Sequence, residues 1–269
     1  MSTNLRVGKI AGAFLATLLA CGVVACTSSD STGGTGGTTS AAGAGGSAGG
    51  TTGATTAAAT GKLCPLPTQA LINDFTAPDG GVTSATDPRF TAGAMTGGGS
   101  SYGPTLTSDV TQGNWHFTGS VSDYSGFNIY FDNCDVIDAS KYKGIAFTIS
   151  GNVTQGITMG VGTVADKASA AWLISKADTQ AKATDSGTCT PTGGDNRYYT
   201  PGCQDPTLAI PVTTAPTPQK ILWTDLAGGA PLASPDPKML TSIYWIFQWS
   251  STATAYDVDL VVDDIKFVE

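Results

Sequence analysis

From residue 62 onwards, short apolar runs alternate with Gly, Pro, Asn, Asp and Ser, which favour turns. Residues 242–249 show the pattern most clearly: Ile243, Trp245, Phe247 and Trp249 fall on one face and Tyr244, Ile246 and Gln248 on the other. A period of two residues predicts a half-buried strand. The same criteria predict strands at 70–75, 126–131, 144–150, 157–164, 207–212, 219–223, 242–249 and 256–268.

The order of these elements predicts an all-β domain over residues 62–269. No segment forms a convincing amphipathic helix of ten residues, and residues 165–183, which come nearest, mix Ala, Ser and Asp without a clear apolar face. Eight or more short strands punctuated by loops indicate a β-sandwich of the jelly-roll type.

The N-terminus has a different pattern. Arg6 and Lys9 precede an uncharged, mostly apolar run at 10–25, which is too short to span a bilayer and predicts a signal peptide at 1–25. Leu-Leu-Ala-Cys21 and Val-Val-Ala-Cys26 both resemble the lipobox of bacterial lipoproteins. We favour Cys26 as the lipidated residue because the apolar run ends there; Cys21, or an ordinary signal peptide without lipidation, is the alternative.

Residues 26–61 consist almost wholly of Gly, Ala, Ser and Thr, from which no core can be built. The segment therefore predicts a disordered, flexible tether between the anchor and the domain. Together these features predict an exported protein whose lipid attaches it to the membrane of the bacterial cell envelope, at the outer membrane or the cell surface. We expect a monomer.

Four cysteines remain after the signal peptide, an even number that suggests two disulfides in an exported protein. Cys189 and Cys203 flank a loop rich in turn-forming residues and are predicted to pair, which leaves Cys64 for Cys134. A zinc site is the alternative, but no Cys-x-x-Cys spacing is present and the single histidine is distant in the sequence.

Charge and composition exclude several functions. The chain has 13 Lys+Arg against 21 Asp+Glu and a net charge of −8, which argues against nucleic-acid binding. His116 is the only histidine and Glu269 the only glutamate, so most acid–base catalysis lacks its usual residues. Residues 99–103 formally match Gly-x-Ser-x-Gly, but no helix is predicted after them, and we interpret them as a turn.

Three stretches resemble the galactose-binding-like β-sandwich of non-catalytic carbohydrate-binding modules. Residues 71–75 (LINDF) are similar to its first strand, and residues 124–134 followed by 136–147 (VIDASKYKGIAF) to the entry of a core strand. Residues 258–267 (VDLVVDDIKF) are similar to its closing strand. The resemblance implies a module that binds polysaccharide or oligosaccharide without enzymatic activity. The first alternative is a structural or adhesion lipoprotein with a protein partner. The second, less favoured alternative is a polysaccharide hydrolase.

The resemblance also implies a structural Ca²⁺ that ties the first strand to the last. Asp74 lies in the first predicted strand, and Asp263 and Asp264 lie in the last. Carboxylates and loop carbonyls are the ligands that calcium prefers. The alternative is that these aspartates are edge-strand charges that discourage pairing with another chain.

A carbohydrate site needs exposed aromatic faces beside polar groups. The two tyrosines inside the Cys189–Cys203 loop are the first candidates, because a disulfide would hold them rigid. Trp245 and Trp249 are expected in the core instead. The full set of candidate ligand-binding residues is Tyr198, Tyr199, Trp115, Tyr124, Trp172, Tyr244 and Gln248.

Overall fold

The structure is a computed structural model that describes residues 63–64, 67–76, 88–92, 95–111, 113–131, 134–197, 200–249 and 254–269. The predicted signal peptide, the tether and Cys26 lie outside the described residues. One short helix, α1 (Ala170–Ser175), is found in the described part of the chain, inside the 165–183 stretch. No helix there is long and apolar enough to cross a membrane.

The strands form two sheets. Sheet 1 contains β1 (Leu63–Cys64), β3 (Arg89–Ala92), β4 (Met95–Tyr102), β7 (Gly126–Phe131), β8 (Val136–Ile137), β10 (Ile157–Thr163), β11 (Thr207–Ile210) and β13 (Leu240–Phe247). Sheet 2 contains β2 (Leu71–Asn73), β5 (Leu106–Thr111), β6 (Asn114–Val121), β9 (Gly144–Val153), β12 (Thr217–Leu222) and β14 (Tyr256–Val268).

The main strand order is β11-β10-β13-β7-β4-β3 in sheet 1 and β12-β9-β14-β6-β5 in sheet 2. From β7 onwards the longer strands alternate between the sheets, with β7, β10 and β13 in sheet 1 and β9, β12 and β14 in sheet 2. The neighbouring long strands within each sheet are antiparallel. This arrangement confirms the predicted all-β sandwich of the jelly-roll type.

Large aromatic side chains from both sheets fill the core. The Phe127 ring of sheet 1 stacks on Phe117 of sheet 2 with their centroids 4.1 Å apart, and on Trp245 at 4.9 Å. Phe147 of sheet 2 meets Trp245 edge-on at 5.3 Å. Such pairs add to the free energy of burying large apolar surfaces, so this cluster joins the two sheets.

Two disulfides join the pairs that the sequence predicts. Cys64 bonds Cys134 with their Cα atoms 5.2 Å apart, and Cys189 bonds Cys203 at 5.9 Å. The first links β1 to the segment after β7, and the second closes a loop between β10 and β11.

The interpretation of residues 99–103 as a turn is wrong. Residues 99–102 belong to β4, which pairs with β3 and β7. Two large side chains press on glycines of this strand: a β-carbon on Gly97 would collide with the Phe90 ring, and one on Gly99 with the Trp115 ring. The glycines are therefore explained by the packing of rings from β3 and β6 against β4 and not by chain reversal.

Candidate functional site

The outer face of sheet 1 carries a groove of about 360 Å³. Its lining side chains are polar or aromatic and come from β4, β7, β13 and the loops beside them. They are Tyr102, Tyr124, Asn128, Lys167, Asp205, Ser242 and Tyr244.

Strand alternation explains why these side chains share one face. In β13, Ile243 and Trp245 are buried in the core, so the alternate residues Ser242 and Tyr244 point outwards. Tyr244 is paired with Asn128 of β7. Asn128 is paired in turn with Ser100 of β4, whose hydroxyl donates a 2.7 Å hydrogen bond to the Asn128 Oδ1. The registers therefore place a row of polar groups across three strands.

A stacked tyrosine pair forms one wall of the groove. The rings of Tyr102 and Tyr124 lie 5.3 Å apart at an interplanar angle of 24°. Tyr102 rests on Gly126, where any side chain would collide with its ring. Tyr124 is 57% exposed, so the ring face turned away from Tyr102 is available to a ligand. Burial raises the pKa of the Tyr102 hydroxyl well above its usual value, and Tyr124 adds to the rise, so Tyr102 keeps its proton.

Tyr244 forms the floor of the groove. Its ring lies across Gly160 of β10, where a β-carbon would collide with it. Its hydroxyl lies near the Asp205 carboxylate. Burial, followed by the negative charge of Asp205, raises the pKa of Tyr244 well above its usual value. The ring thus lies over Gly160, with the Asp205 carboxylate near its hydroxyl.

The long connection between β10 and β11, residues 164–206, forms the opposite wall. Connections of this length inside compact domains are uncommon and usually functional. Several contacts hold it in place: the Cys189–Cys203 disulfide, a bridge between Ala168 and Cys189, and a 2.8 Å ion pair from Arg197 Nε to Asp178 Oδ2. The connection contributes Lys167 and Asp205 to the groove.

Two further cavities adjoin the groove. One, of about 290 Å³, shares Lys167 and Asp205 with the groove and contains Asp166 in its wall. The other, of about 360 Å³, shares Lys167 and is lined also by Tyr130 and Cys134. The end of the Lys167 side chain lies over Gly162, close to the hydroxyl of Ser242. Lys167 therefore stands where the three cavities meet.

Asp166 is the one ionisable residue among the buried polar side chains of the described residues, at 2% exposure. Its Oδ2 accepts a 2.6 Å hydrogen bond from the Thr163 hydroxyl, and its Oδ1 has no hydrogen-bond partner among the described residues. Burial raises the pKa of Asp166 to about 6 despite the bond from Thr163, and the Asp205 charge contributes to the rise. At neutral pH the cavity thus contains a buried carboxylate with an unused acceptor.

The structure places two of the predicted ligand-binding residues, Tyr124 and Tyr244, in the groove. Trp115 was expected to be exposed and is instead 0% exposed, because β6 turns it into the core against Phe117 and Phe127. The expected burial of Trp249 is also wrong: it follows the last residue of β13 and is 37% exposed, whereas Trp245 is fully buried as expected.

The other predicted ligand-binding residues are not in the groove. Trp172 lies on α1, where the Lys176 ammonium sits 5.4 Å from its ring centroid. Gln248 is exposed after the end of β13 and donates a hydrogen bond to Thr158. Tyr198 and Tyr199 lie outside the described residues.

The aspartates of the expected calcium site lie where β2 meets β14. Asp74 Oδ1 accepts a 2.8 Å hydrogen bond from the Thr76 hydroxyl, and the hydrogen bonds from Thr76 lower the pKa of Asp74. Asp264 has a φ of 53° inside a bulge of β14, and its carboxylate pairs with Lys266 at 2.5 Å. Burial raises the pKa of Asp263, and the charges of Asp264 and Asp74 add to the rise. Among the described residues no group of three acidic, His or Cys side chains is arranged to hold a metal ion, and calcium stays a prediction.

Sequence reasoning missed most of the groove. Tyr102, Asn128 and Ser242 occupy outward positions of strands, and only Asn128 and Ser242 lay in predicted strands whose alternation could have identified them. Lys167 and Asp205 lie in the 164–206 connection, where no sequence pattern points to the groove.

No protein-family model matches this chain, and no curated protein is similar to it. Among solved structures, it is similar to a family 11 carbohydrate-binding module from Clostridium thermocellum in complex with a β-1,3-1,4-mixed-linked tetrasaccharide, at 14% identity and a TM-score of 0.42, over 74% of this chain and 95% of that one. It is also similar to the family 11 module of the cellulosomal cellulase Lic26A-Cel5E from the same organism, at 14% identity and a TM-score of 0.41, over 74% of this chain and 94% of that one. The solution structure of CtCBM11 is similar at 15% identity and a TM-score of 0.42, over 74% of this chain and 94% of that one. At these values the likeness adds no weight to a function, which has to be inferred from the groove itself.

Proposed function

We propose that the domain binds an oligosaccharide in the groove on sheet 1 and does not cleave it. The observation that carries this proposal is the stacked pair of Tyr102 and Tyr124 beside Tyr244, in one groove with Asn128 and Asp205. A sugar presents apolar C–H faces together with many hydroxyls, so it needs aromatic faces and hydrogen-bonding groups close together.

The groove offers both donors and acceptors for hydroxyl groups. Tyr102 and Tyr244 keep their protons because burial raises their pKa values, and Lys167 is a donor with three N–H bonds. The carboxylate of Asp205 and the amide of Asn128 supply acceptors. A hydroxyl both donates and accepts, so this mixture suits a neutral polyhydroxylated ligand.

A second candidate function is glycoside hydrolysis, since Asp166 and Asp205 both line the adjacent cavity and the pKa of Asp166 is raised to about 6. Binding without cleavage is the better-supported function, because the groove presents the stacked tyrosines and the polar groups that a sugar needs, and because the Asp205 carboxylate lies near the Tyr244 hydroxyl. The binding experiment below also tests for hydrolysis, by measuring new reducing ends after prolonged incubation.

The test is a titration of residues 62–269 against cellulose, xylan, mannan, galactan and mixed-linked β-1,3-1,4-glucan by affinity electrophoresis, followed by calorimetry. We expect Tyr124→Ala to weaken the best ligand roughly tenfold or more, because central aromatic residues dominate such interfaces and tenfold is about 1.4 kcal/mol. Tyr124→Phe keeps the ring and should stay within about threefold of the wild type. Trp249→Ala is the matched control, since Trp249 is also an exposed aromatic and lies outside the groove.

Failure of the intact domain to bind any of these glycans would contradict the proposal. A structural or adhesion role with a protein partner would then become the leading alternative. Equal losses in Tyr124→Ala and Trp249→Ala would place the binding surface elsewhere on the domain.

We further propose that the chain is exported and anchored to the cell envelope by lipid on Cys26. The support is the sequence of residues 1–61: a basic start, an apolar run and a small residue before the cysteine. One acyl chain alone binds a bilayer only marginally, so stable attachment needs several chains on Cys26. Cys26→Ala removes the thiol that carries the lipid and is expected to move the protein out of the membrane fraction or leave it unprocessed. Cys21→Ala serves as the control and should fractionate like the wild type; unchanged fractionation of Cys26→Ala would refute the assignment.

A further inference from the structure

The 290 Å³ cavity beside the groove is built from one continuous part of the chain. Its lining residues in the described part of the chain all belong to the 164–206 connection, and Lys167 and Asp205 are common to its wall and that of the groove. Ala168, Leu173 of α1 and Cys203 of the disulfide supply its apolar surface. A ligand that occupies the groove thus lies next to the mouth of a second recess.

Asp166 lines this recess, and one oxygen of its buried carboxylate has no hydrogen-bond partner among the described residues. Its Oδ2 is engaged by Thr163, whereas Oδ1 is buried without a hydrogen-bond partner among the described residues. Buried polar atoms are almost always paired, and an unpaired one is costly. A ligand that brings a hydrogen-bond donor to Oδ1 would therefore bind favourably.

The charges around the recess favour a neutral ligand. Asp166, Asp185 and Asp205 line it and would repel an anion such as a uronate. Lys167 and Arg197 line it as well and would oppose a divalent cation, and no group of three potential metal ligands occurs among the described residues. A hydroxyl-rich neutral group can donate to the carboxylates and accept from the cations at once.

The walls of the recess are held in place before any ligand binds. Arg197 is paired with Asp178 through bonds of 2.8 and 3.4 Å. The Thr188 amide donates a 2.9 Å hydrogen bond to the Val164 carbonyl, and the disulfide closes the far side. A site that is ordered in advance loses little entropy on binding.

We propose that this recess is a second sugar subsite, in which Asp166 accepts a hydrogen bond from a hydroxyl of one neutral sugar unit. The other units of the same oligosaccharide lie on the tyrosines of the groove, so the inference rests on the proposed function. Ligand pockets begin at roughly 300 Å³, which limits the recess to about one sugar ring. The expected ligand class is an uncharged oligosaccharide long enough to reach from Tyr124 past Lys167.

The experiment measures affinity against chain length. Cello-, xylo- and manno-oligosaccharides of two to six units are titrated at pH 7.5 into the wild type, Asp166→Asn, Tyr124→Ala and the control Asp257→Asn, which changes an exposed aspartate of β14 in sheet 2. Asn keeps the size of Asp and an oxygen for Thr163, but replaces the free acceptor with an amide. We expect affinity in the wild type to rise once the oligomer reaches the recess.

Asp166→Asn should abolish that rise in affinity. It should weaken the binding of the long oligomers roughly 10-fold or more, while the shortest oligomers that bind keep wild-type affinity. Tyr124→Ala should weaken all lengths. Acidic oligogalacturonides should show no rise with length. Retained binding of the short oligomers shows that Asp166→Asn is folded, and its melting temperature at pH 7.5 is measured alongside.

Wild-type affinity of Asp166→Asn for every length would overturn the subsite and leave the proposed function intact if Tyr124→Ala still weakens binding. Calcium binding that is lost in Asp166→Asn would overturn it in favour of a cation site. New reducing ends that disappear in Asp166→Asn would overturn it in favour of hydrolysis. Absence of binding to any neutral oligosaccharide would instead refute the proposed function.

Discussion

Replacement of Trp245 by alanine is expected to lower the free energy of unfolding by about 3–5 kcal/mol. The indole is 0% exposed and packs on Phe127 of its own sheet and Phe147 of the other, at centroid distances of 4.9 and 5.3 Å. Its removal leaves a cavity at the point where the two sheets are joined, and the surrounding strands cannot close it. Urea unfolding, followed by tryptophan fluorescence and circular dichroism, measures the change.

Trp249→Ala is the matched control for this substitution. Trp249 lies just past the end of the same strand and is 37% exposed, so its truncation should cost less than about 1 kcal/mol. Similar destabilisation of the two variants would show that the aromatic cluster around Phe127 does not dominate the core.

The second large effect is expected from the Cys64–Cys134 disulfide, which closes a loop with a sequence separation of 70. Replacing both cysteines by alanine should lower the free energy of unfolding by roughly 4 kcal/mol, because the cross-link restricts the unfolded chain. The Cys189–Cys203 disulfide has a separation of only 14, and its loss should cost roughly 3 kcal/mol. Non-reducing peptide mapping establishes the linkages first, and urea unfolding of the two double variants follows.

The comparison between the two disulfides is the sharper measurement. Loop-closure entropy predicts that the disulfide of the longer loop contributes about 1.4 kcal/mol more to the free energy of unfolding than that of the shorter loop. The constant in the expression for loop closure is the same for both loops and cancels in this difference. Greater destabilisation by loss of the shorter disulfide would contradict this account. Such a result would mean that the 164–206 connection depends on Cys189–Cys203 for its native structure, and glycan binding of the same variants would then decrease as well.

Strands with strong alternation could be predicted from the sequence alone. The predicted bounds of β7 and β14 are those of the structure, and β13 differs by only two residues at each end. In these strands the apolar and polar side chains separate so clearly that only one orientation buries the apolar set. Local pattern and tertiary environment agree there, and prediction succeeds.

The strands β3 to β6 were not among the predicted strands, and β4 is the clearest case of a strand whose sequence lacks that pattern. The sequence of β4 is MTGGGSSY, and three consecutive glycines normally predict a loop. They occur in a strand because rings from β3 and β6, Phe90 and Trp115, occupy the space above Gly97 and Gly99. This reason lies in other strands, one of them in the opposite sheet, so no window of sequence around β4 contains it.

The same distinction applies to the groove. Tyr124 and Tyr244 could be proposed from residue type and position, since the first precedes a clear strand and the second alternates with core residues. Asp205 could not be proposed, because its role depends on its proximity to Tyr244, which is almost forty residues away in the sequence. Lys167 becomes a groove residue only because the 164–206 connection folds back over sheet 1.

The sequence by itself thus determined the all-β class, the partners of the disulfides and the faces of the strongly patterned strands, because these follow from local periodicity and from the small number of cysteines. Only the tertiary structure decided which aromatic residues face solvent. Trp115 and Tyr124 are both aromatic residues in polar surroundings of the sequence, yet one is fully buried and the other 57% exposed. Burial depends on what packs against a side chain from the opposite sheet, and that information is distributed over the whole chain.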